Sequence, residues 1–170
     1  MGRNFFTDNL SGISTILLFP FKEGRMKQNN RQIQRNDIMR DIEEVRRFFE
    51  GDRYAVDVTG VTIDEADDCY SKCSLNLDEK HYGAHGQVMG GVMFTLADFA
   101  FAVATNTPES FTATADSHIS YLSSSKGKRL FAECQKVKEG RKLCFYEIKI
   151  TDDLGAEIAV INTTGFHISK

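Results

Sequence analysis

The chain has 170 residues, a formal net charge of -3, 41% hydrophobic residues and 26% charged residues. That length favours one domain with a real core, and the balance is that of an ordinary soluble protein. The mild negative charge gives no electrostatic case for nucleic acid or for an anionic membrane as partner.

The first stretch, residues 1–29, has neither a helical nor a strand period. Ile16-Leu17-Leu18-Phe19 is too short for a signal peptide, and no small-residue cleavage site follows it. Lys22-Glu23-Gly24 can be encoded by a purine run resembling a bacterial ribosome-binding site, at a suitable distance before Met26. The expected native start is therefore Met26, with residues 1–29 a disordered or non-native extension that carries no function. Residues 30–50 form an expected amphipathic helix. Ile38, Ile42, Val45 and Phe49 repeat on one side from Gln32 to Glu50, and Glu43 and Arg47 form an i, i+4 pair on the other. Gly51-Asp52 stops it. Docking on the core or on a neighbouring subunit accounts for such a helix.

Residues 51–170 carry the main domain. Ala55 to Ile63 and Cys69 to Leu77 are predicted strands, and a polar loop runs from Asp78 to Val88. Then comes an apolar run from Gly91 to Ala104, interrupted only by Thr95 and Asp98. It lacks Pro, is rich in Ala, and places apolar residues on every side of a 3.6-residue period, which predicts a helix enclosed by protein. It is too short for a bilayer span and carries a carboxylate near its middle. Asn106, Thr107 and Pro108 end it. Thr112 to Leu122, Arg129 to Lys138, Lys142 to Asp152 and Glu157 to Ile168 are predicted strands. The short turns at Glu139-Gly140 and Asp153 to Ala156 make the last three an antiparallel meander. The expected fold is α+β, an antiparallel β-sheet wrapped around one long central helix. The four cysteines, Cys69, Cys73, Cys134 and Cys144, fall in strand-like runs, so they are expected reduced and the protein cytoplasmic.

Asp98 has no Lys or Arg nearby in sequence. An unpaired carboxylate in an apolar helix is costly, and one that is tolerated there is often one that works; a structural acid satisfied by Thr hydroxyls is the alternative. His81, His85, Cys69 and Cys73 do not make a zinc site, because the two cysteines are some 13 Å apart along a strand at about 3.3 Å per residue. Ser117-His118 point to opposite strand faces and make no triad. The Gly90-Gly91 pair lacks the spacing of a phosphate loop. No metal and no cofactor is expected.

From these residues onward the chain resembles the hotdog-fold acyl-CoA thioesterases, and within them the phenylacetic acid degradation branch (PaaI-like). That family has a loop of the form Asn-x-x-Gly-x-x-His-Gly-Gly before an apolar helix containing Leu-Ala-Asp. Gly86, Gly90, Gly91, Leu96, Ala97 and Asp98 match in register. Ile119-Ser120-Tyr121-Leu122 resembles the family's Ile-x-Tyr-Leu strand, Gly140-Arg141 its hairpin, and Asp152 to Ala159 its turn and strand. The likeness spans roughly residues 50 to 168. It implies hydrolysis of small or aromatic acyl-CoA thioesters, with Asp98 as base or nucleophile. Gly83 stands where the family usually has Asn, which helps place the attacking water or carboxylate. Met89 stands where it usually has His, which helps hold the thioester; His81 and His85 lie close by.

Thioester hydrolysis also needs a donor for the developing oxyanion, and the free amides of Gly90 and Gly91 at a helix start suit that role. Thr112 or Thr114 on the next strand can orient the water. Gly83, His85 and Met89 are the candidate substrate-binding loop. Arg129 and Arg141, with Lys126, Lys128 and Lys142, are candidates for the coenzyme A phosphates, although a solvated basic loop explains them equally well. Gly90 and Asp98 lie about 12 Å apart along one helix at roughly 1.5 Å per residue, too far to serve one carbonyl. Two antiparallel central helices would bring Gly90 of one chain to Asp98 of another. The resemblance implies that homodimer, usually paired again as a dimer of dimers. A hotdog protein that binds an acyl-CoA without turnover is the alternative.

Overall fold

The computed structural model describes residues 40–168. The expected extension at residues 1–29 and the first part of the predicted N-terminal helix lie outside them. Helix α1 (Ile42–Phe49) begins at Asp41, whose side chain accepts from the Glu43 amide, and it buries Val45 and Phe49. The Phe49 ring meets Phe99 edge-on at 5.5 Å, so α1 docks on the core of its own chain. Glu43 pairs with Arg46 at 2.7 Å rather than with Arg47.

Tyr54 to Thr59 form a π-helical turn, not the first half of a strand. The buried pair is Ala55 and Thr59, four residues apart, with Tyr54 and Val58 turned outward. Gly60 closes the turn at φ 89°, its amide on the Ala55 carbonyl, and only then does strand β1 (Val61–Asp67) begin.

Strands β2 (Tyr70–Asn76), β3 (Phe111–Tyr121), β4 (Arg129–Glu139), β5 (Leu143–Asp152) and β6 (Glu157–Ile168) complete one six-stranded sheet. Its order is β1-β2-β4-β5-β6-β3, and every pairing is antiparallel. The predicted meander is β4, β5 and β6. Cys144, Tyr146, Ile148 and Ile150 form the buried face of β5, as period-2 alternation requires. The sheet curls around helix α2 (Gly90–Thr105), and Leu96, Ala100, Phe101 and Val103 are sealed against it. This is the hotdog architecture, an α+β fold. None of the described helices is long and apolar enough to cross a membrane.

One expectation about α2 fails. The helix is not enclosed on all sides: Asp98 and Gly91 are exposed, and Phe94, Thr95 and Ala102 are only half-buried. An all-round apolar pattern leads to the expectation that every face is covered. It does not show whether this chain supplies the cover. Next to that open face lies β3, whose second edge is unpaired among the described residues.

Candidate active site

Asp98 stands on the open face of α2, where the Thr114 hydroxyl donates to Oδ1 at 3.0 Å. Thr114 adjoins a bulge in the β3–β6 ladder, where Ala115 has no partner. Bulges re-aim neighbouring side chains and recur beside active sites. The second oxygen of Asp98 is left for solvent or substrate. A cavity of about 450 Å³ opens here, lined by Asp52, Arg53, Tyr54, Phe94, Thr95 and Asp98. Arg53 is engaged by Asp57 and is not a counter-ion for Asp98. Burial, reinforced by the nearby charge of Asp98, pushes the Asp52 carboxyl above the usual carboxylate range. Asp52 was legible in the sequence only as a helix stop.

Gly90 and Gly91 open α2, and among the described residues their amides meet no acceptor. The Met89 carbonyl takes the amides of Val92 and Met93 instead, at 3.0 and 3.4 Å. Gly90 lines a second cavity, of about 430 Å³, with Gln87, Met93, Tyr121 and Leu122. A Cβ on Gly90 would stand 2.6 Å from the Tyr121 hydroxyl, so glycine is what lets that phenol lie on the helix start. The two cavities share no lining residue. Within this chain, Gly90 and Asp98 therefore face different spaces.

The loop before α2 is a compact turn. The Gly83 amide donates to the Gln87 carbonyl at 2.8 Å, and the Gly86 amide to the Gly83 carbonyl at 2.9 Å. Met89 is exposed at the N-cap position of the helix and His85 is exposed at the loop tip. His81 does not replace the imidazole missing at Met89. It is buried, its Nδ1 accepting from the Asp78 amide at 2.9 Å and its Nε2 paired with the Thr59 carbonyl at 2.8 Å.

The remaining candidates scatter. Thr112 is buried and pairs with Nδ1 of His167 at 3.0 Å, away from the Asp98 cavity. Arg129 is held by Asp64 at 3.3 Å and Ser74 at 2.6 Å, with its guanidinium over Phe131. Arg141 is exposed in the β4–β5 turn, the end of the sheet that holds Thr112, whereas the Gly90 cavity lies at Tyr121. The length of β3, roughly 30 Å at about 3.3 Å per residue, separates those ends.

Residues 85–159 match the thioesterase superfamily. A candidate esterase of Archaeoglobus fulgidus is 25% identical over 130 residues, covering 76% of this chain and 84% of its own length. Among solved structures, the E. coli PaaI protein from the phenylacetic acid degradation operon superposes with a TM-score of 0.69 at 20% identity. That match covers 75% of this chain and 96% of the other. A hypothetical thioesterase of Streptococcus pneumoniae, solved with coenzyme A, gives a TM-score of 0.66 at 20% identity over 72% of this chain and 98% of its own. The match to the thioesterase superfamily falls on the loop, helix and strands that carry Gly90, Asp98, Thr114 and Tyr121.

Proposed function

We propose that this protein is an acyl-CoA thioesterase that hydrolyses small or aromatic acyl thioesters to free acid and coenzyme A, with each site shared between two protomers. The observation that carries the reading is the separation on one chain of Asp98, which lines one open cavity, from the unpartnered amides of Gly90 and Gly91, of which Gly90 lines another. A second chain related by a two-fold axis, with its β3 edge beside this one and its α2 antiparallel, would close the open helix face. The thioester carbonyl oxygen would then lie at the Gly90 and Gly91 amides, where the helix dipole is positive. Asp98 of the other protomer, held by Thr114, would attack directly or take a proton from water. Covering the face would also exclude bulk water from the reacting groups. Pairing of such dimers into a tetramer and a cytoplasmic location are part of the same proposal.

Gly83, His85 and Met89 would border the thioester end of the substrate. Lys126 and Lys128 are exposed in the loop that leaves the Gly90 cavity and are better placed for coenzyme A phosphates than Arg129, which is already engaged. The PaaI-like branch, and the aromatic acyl group it suggests, rest on the sequence resemblance together with the shared fold.

The test is free-thiol release across short, long, aromatic and hydroxylated acyl-CoAs, with sedimentation at micromolar concentration on the same preparation. The expected result is turnover by a dimer or a larger assembly. An active monomer would contradict the shared site. Tight binding without turnover would favour a second reading, a hotdog protein that only binds acyl-CoA, and the exposed Met89 in place of an imidazole is the observation on its side.

Met89→His separates the two readings further. If the missing imidazole only weakens ground-state binding, the substitution lowers KM and leaves kcat nearly unchanged. A large rise in kcat would mean that the native protein lacks a catalytic part.

A further inference from the structure

At the far end of α2 from Gly90 lies a third cavity, of about 390 Å³, lined by Cys69, Thr112, Lys136, Glu139, Tyr146 and His167 among others. The proposed hydrolysis uses none of these residues except, as a sequence candidate, Thr112. Here the Glu139 carboxylate, the Cys144 thiol and the His167 imidazole place their donor atoms all within 4.8 Å of one another. They come from the end of β4, the start of β5 and the end of β6, so only the strand register joins them: Glu139 pairs with Cys144, and Cys144 with Gly165.

We propose that Glu139, Cys144 and His167 form a binding site for a divalent transition ion of the zinc class, with Thr112 as the residue that orients His167. The donor set is one sulfur, one nitrogen and one oxygen. This mixture suits borderline-soft zinc, and tetrahedral coordination would leave a fourth position open to the cavity. Tetrahedral zinc bonds of about 2.0 to 2.3 Å set donors roughly 3.3 to 3.5 Å apart, so the Glu139–His167 contact must open and the wider spacings close, by shifts a side chain can make.

Three further observations fit. His167 Nε2 already meets Glu139 Oε1 at 2.6 Å, and its Nδ1 already meets the Thr112 hydroxyl at 3.0 Å. A metal-bound imidazole needs a partner of that kind on its other nitrogen. Moving the ring proton from Nε2 to Nδ1 frees Nε2 for the ion, and the Thr112 oxygen then accepts instead of donating. Second, Gly165 is what allows the cluster to close. A Cβ there would stand 2.7 Å from Cys144 Sγ and 2.6 Å from the Thr112 methyl. Third, charge balances: a divalent ion with one thiolate and one carboxylate sums to zero, which a half-buried site tolerates.

The ion would bind Cys144 as its thiolate, with the thiol proton released to solvent. The charged and titratable groups that face the cavity are Arg40, Asp68, Cys69, Lys136 and Tyr146. Arg40 and Lys136 oppose a cation, but Arg40 is turned onto the Val103 and Asn106 carbonyls, and Lys136 is directed at Cys69 Sγ at 2.8 Å and lies 3.9 Å from Glu139 Oε2.

The test uses the full chain, stripped with chelator and titrated with cobalt(II) and, separately, zinc(II). Cobalt should produce a sulfur-to-metal charge-transfer band in the near ultraviolet that Cys144→Ser abolishes and Cys69→Ser leaves intact. Against a competing chromophoric chelator, His167→Gln should weaken zinc binding at least ten-fold. Thr112→Val, which keeps the shape but removes the hydroxyl, should weaken it by roughly ten-fold or more. These last two variants decide the matter if Cys144→Ser does not fold. No cobalt band and no zinc retention by the native chain would overturn the proposal. So would a band that follows Cys69, or zinc affinity unchanged in His167→Gln. None of these readouts depends on thioester hydrolysis.

Discussion

Asp98→Asn is expected to lower kcat for acyl-CoA hydrolysis by a factor on the order of 10² to 10⁴, the span of general-base work. The substitution keeps size and polarity and removes the basic or nucleophilic oxygen. Its cost to folding should be small. Asp98 is exposed, and its side-chain partner among the described residues, the Thr114 hydroxyl, can donate to an amide oxygen as it does to a carboxylate. Thermal melting and thiol release are measured on the same preparation. A carboxylate that was only structural would give an Asn variant that melts early but turns over at the native rate, and that outcome would remove Asp98 from the mechanism.

The largest effect on stability is expected at Asp152. This carboxylate is 3% exposed and accepts five hydrogen bonds. One oxygen takes the Ser125 hydroxyl and the Lys126 and Gly127 amides; the other takes the amides of Leu154 and Ala156. It therefore ties the loop after β3 to the β5–β6 turn. Burial alone would raise its pKa, but the Ala156 amide, the Ser125 hydroxyl and the Leu154 and Gly127 amides together hold it below the usual carboxylate range. Asp152→Ala leaves those donors without their acceptor and should cost about 3 kcal/mol, roughly 6 to 12 °C in Tm for a chain of this size. Because the folded-state pKa is depressed, this contribution is fully present above the unfolded carboxylate value of about 4 and is lost as pH falls through the folded one. The native chain should thus show an acid limb of stability that Asp152→Asn largely lacks. Melting curves from neutral to acid pH check both statements, and equal acid limbs in the two proteins would contradict the second.

The parts of the fold that were legible in the sequence have one strong signal each. Helix α2 lies between a glycine pair and Pro108, and the β4–β5–β6 meander alternates cleanly between short turns, so these elements came out within a residue or so. The Tyr54–Thr59 turn did not, because the strand predicted over Ala55 to Ile63 runs through Gly60, the residue whose left-handed backbone marks the true boundary. The open face of α2 was beyond reach for a different reason. Hydrophobicity reports that a surface is covered, whichever chain covers it. In the site, Gly90, Gly91 and Asp98 were legible as the only groups of their kind on an apolar helix. Thr112 and Thr114 were not separable: two hydroxyls two residues apart take His167 and Asp98 as partners, and strand register decides which takes which. Glu139, Cys144 and His167 carry no local pattern at all, since only the pairing of three strands brings them together.

Arg40 has a consequence for where this chain can be trimmed. Its guanidinium donates to the Val103 carbonyl at 2.9 Å and the Asn106 carbonyl at 3.1 Å, the acceptors that the end of α2 leaves open. Six residues on, Arg46 holds the Ile63 carbonyl of β1 through two nitrogens, at 2.7 and 3.1 Å. The stretch ahead of Gly51 is therefore a clasp across both the central helix and the sheet edge. A chain shortened to the strands and helix alone would expose Phe99 and leave the last turn of α2 uncapped. A chain that starts after Gly51 is therefore expected to melt earlier than one that keeps Arg40 and Arg46.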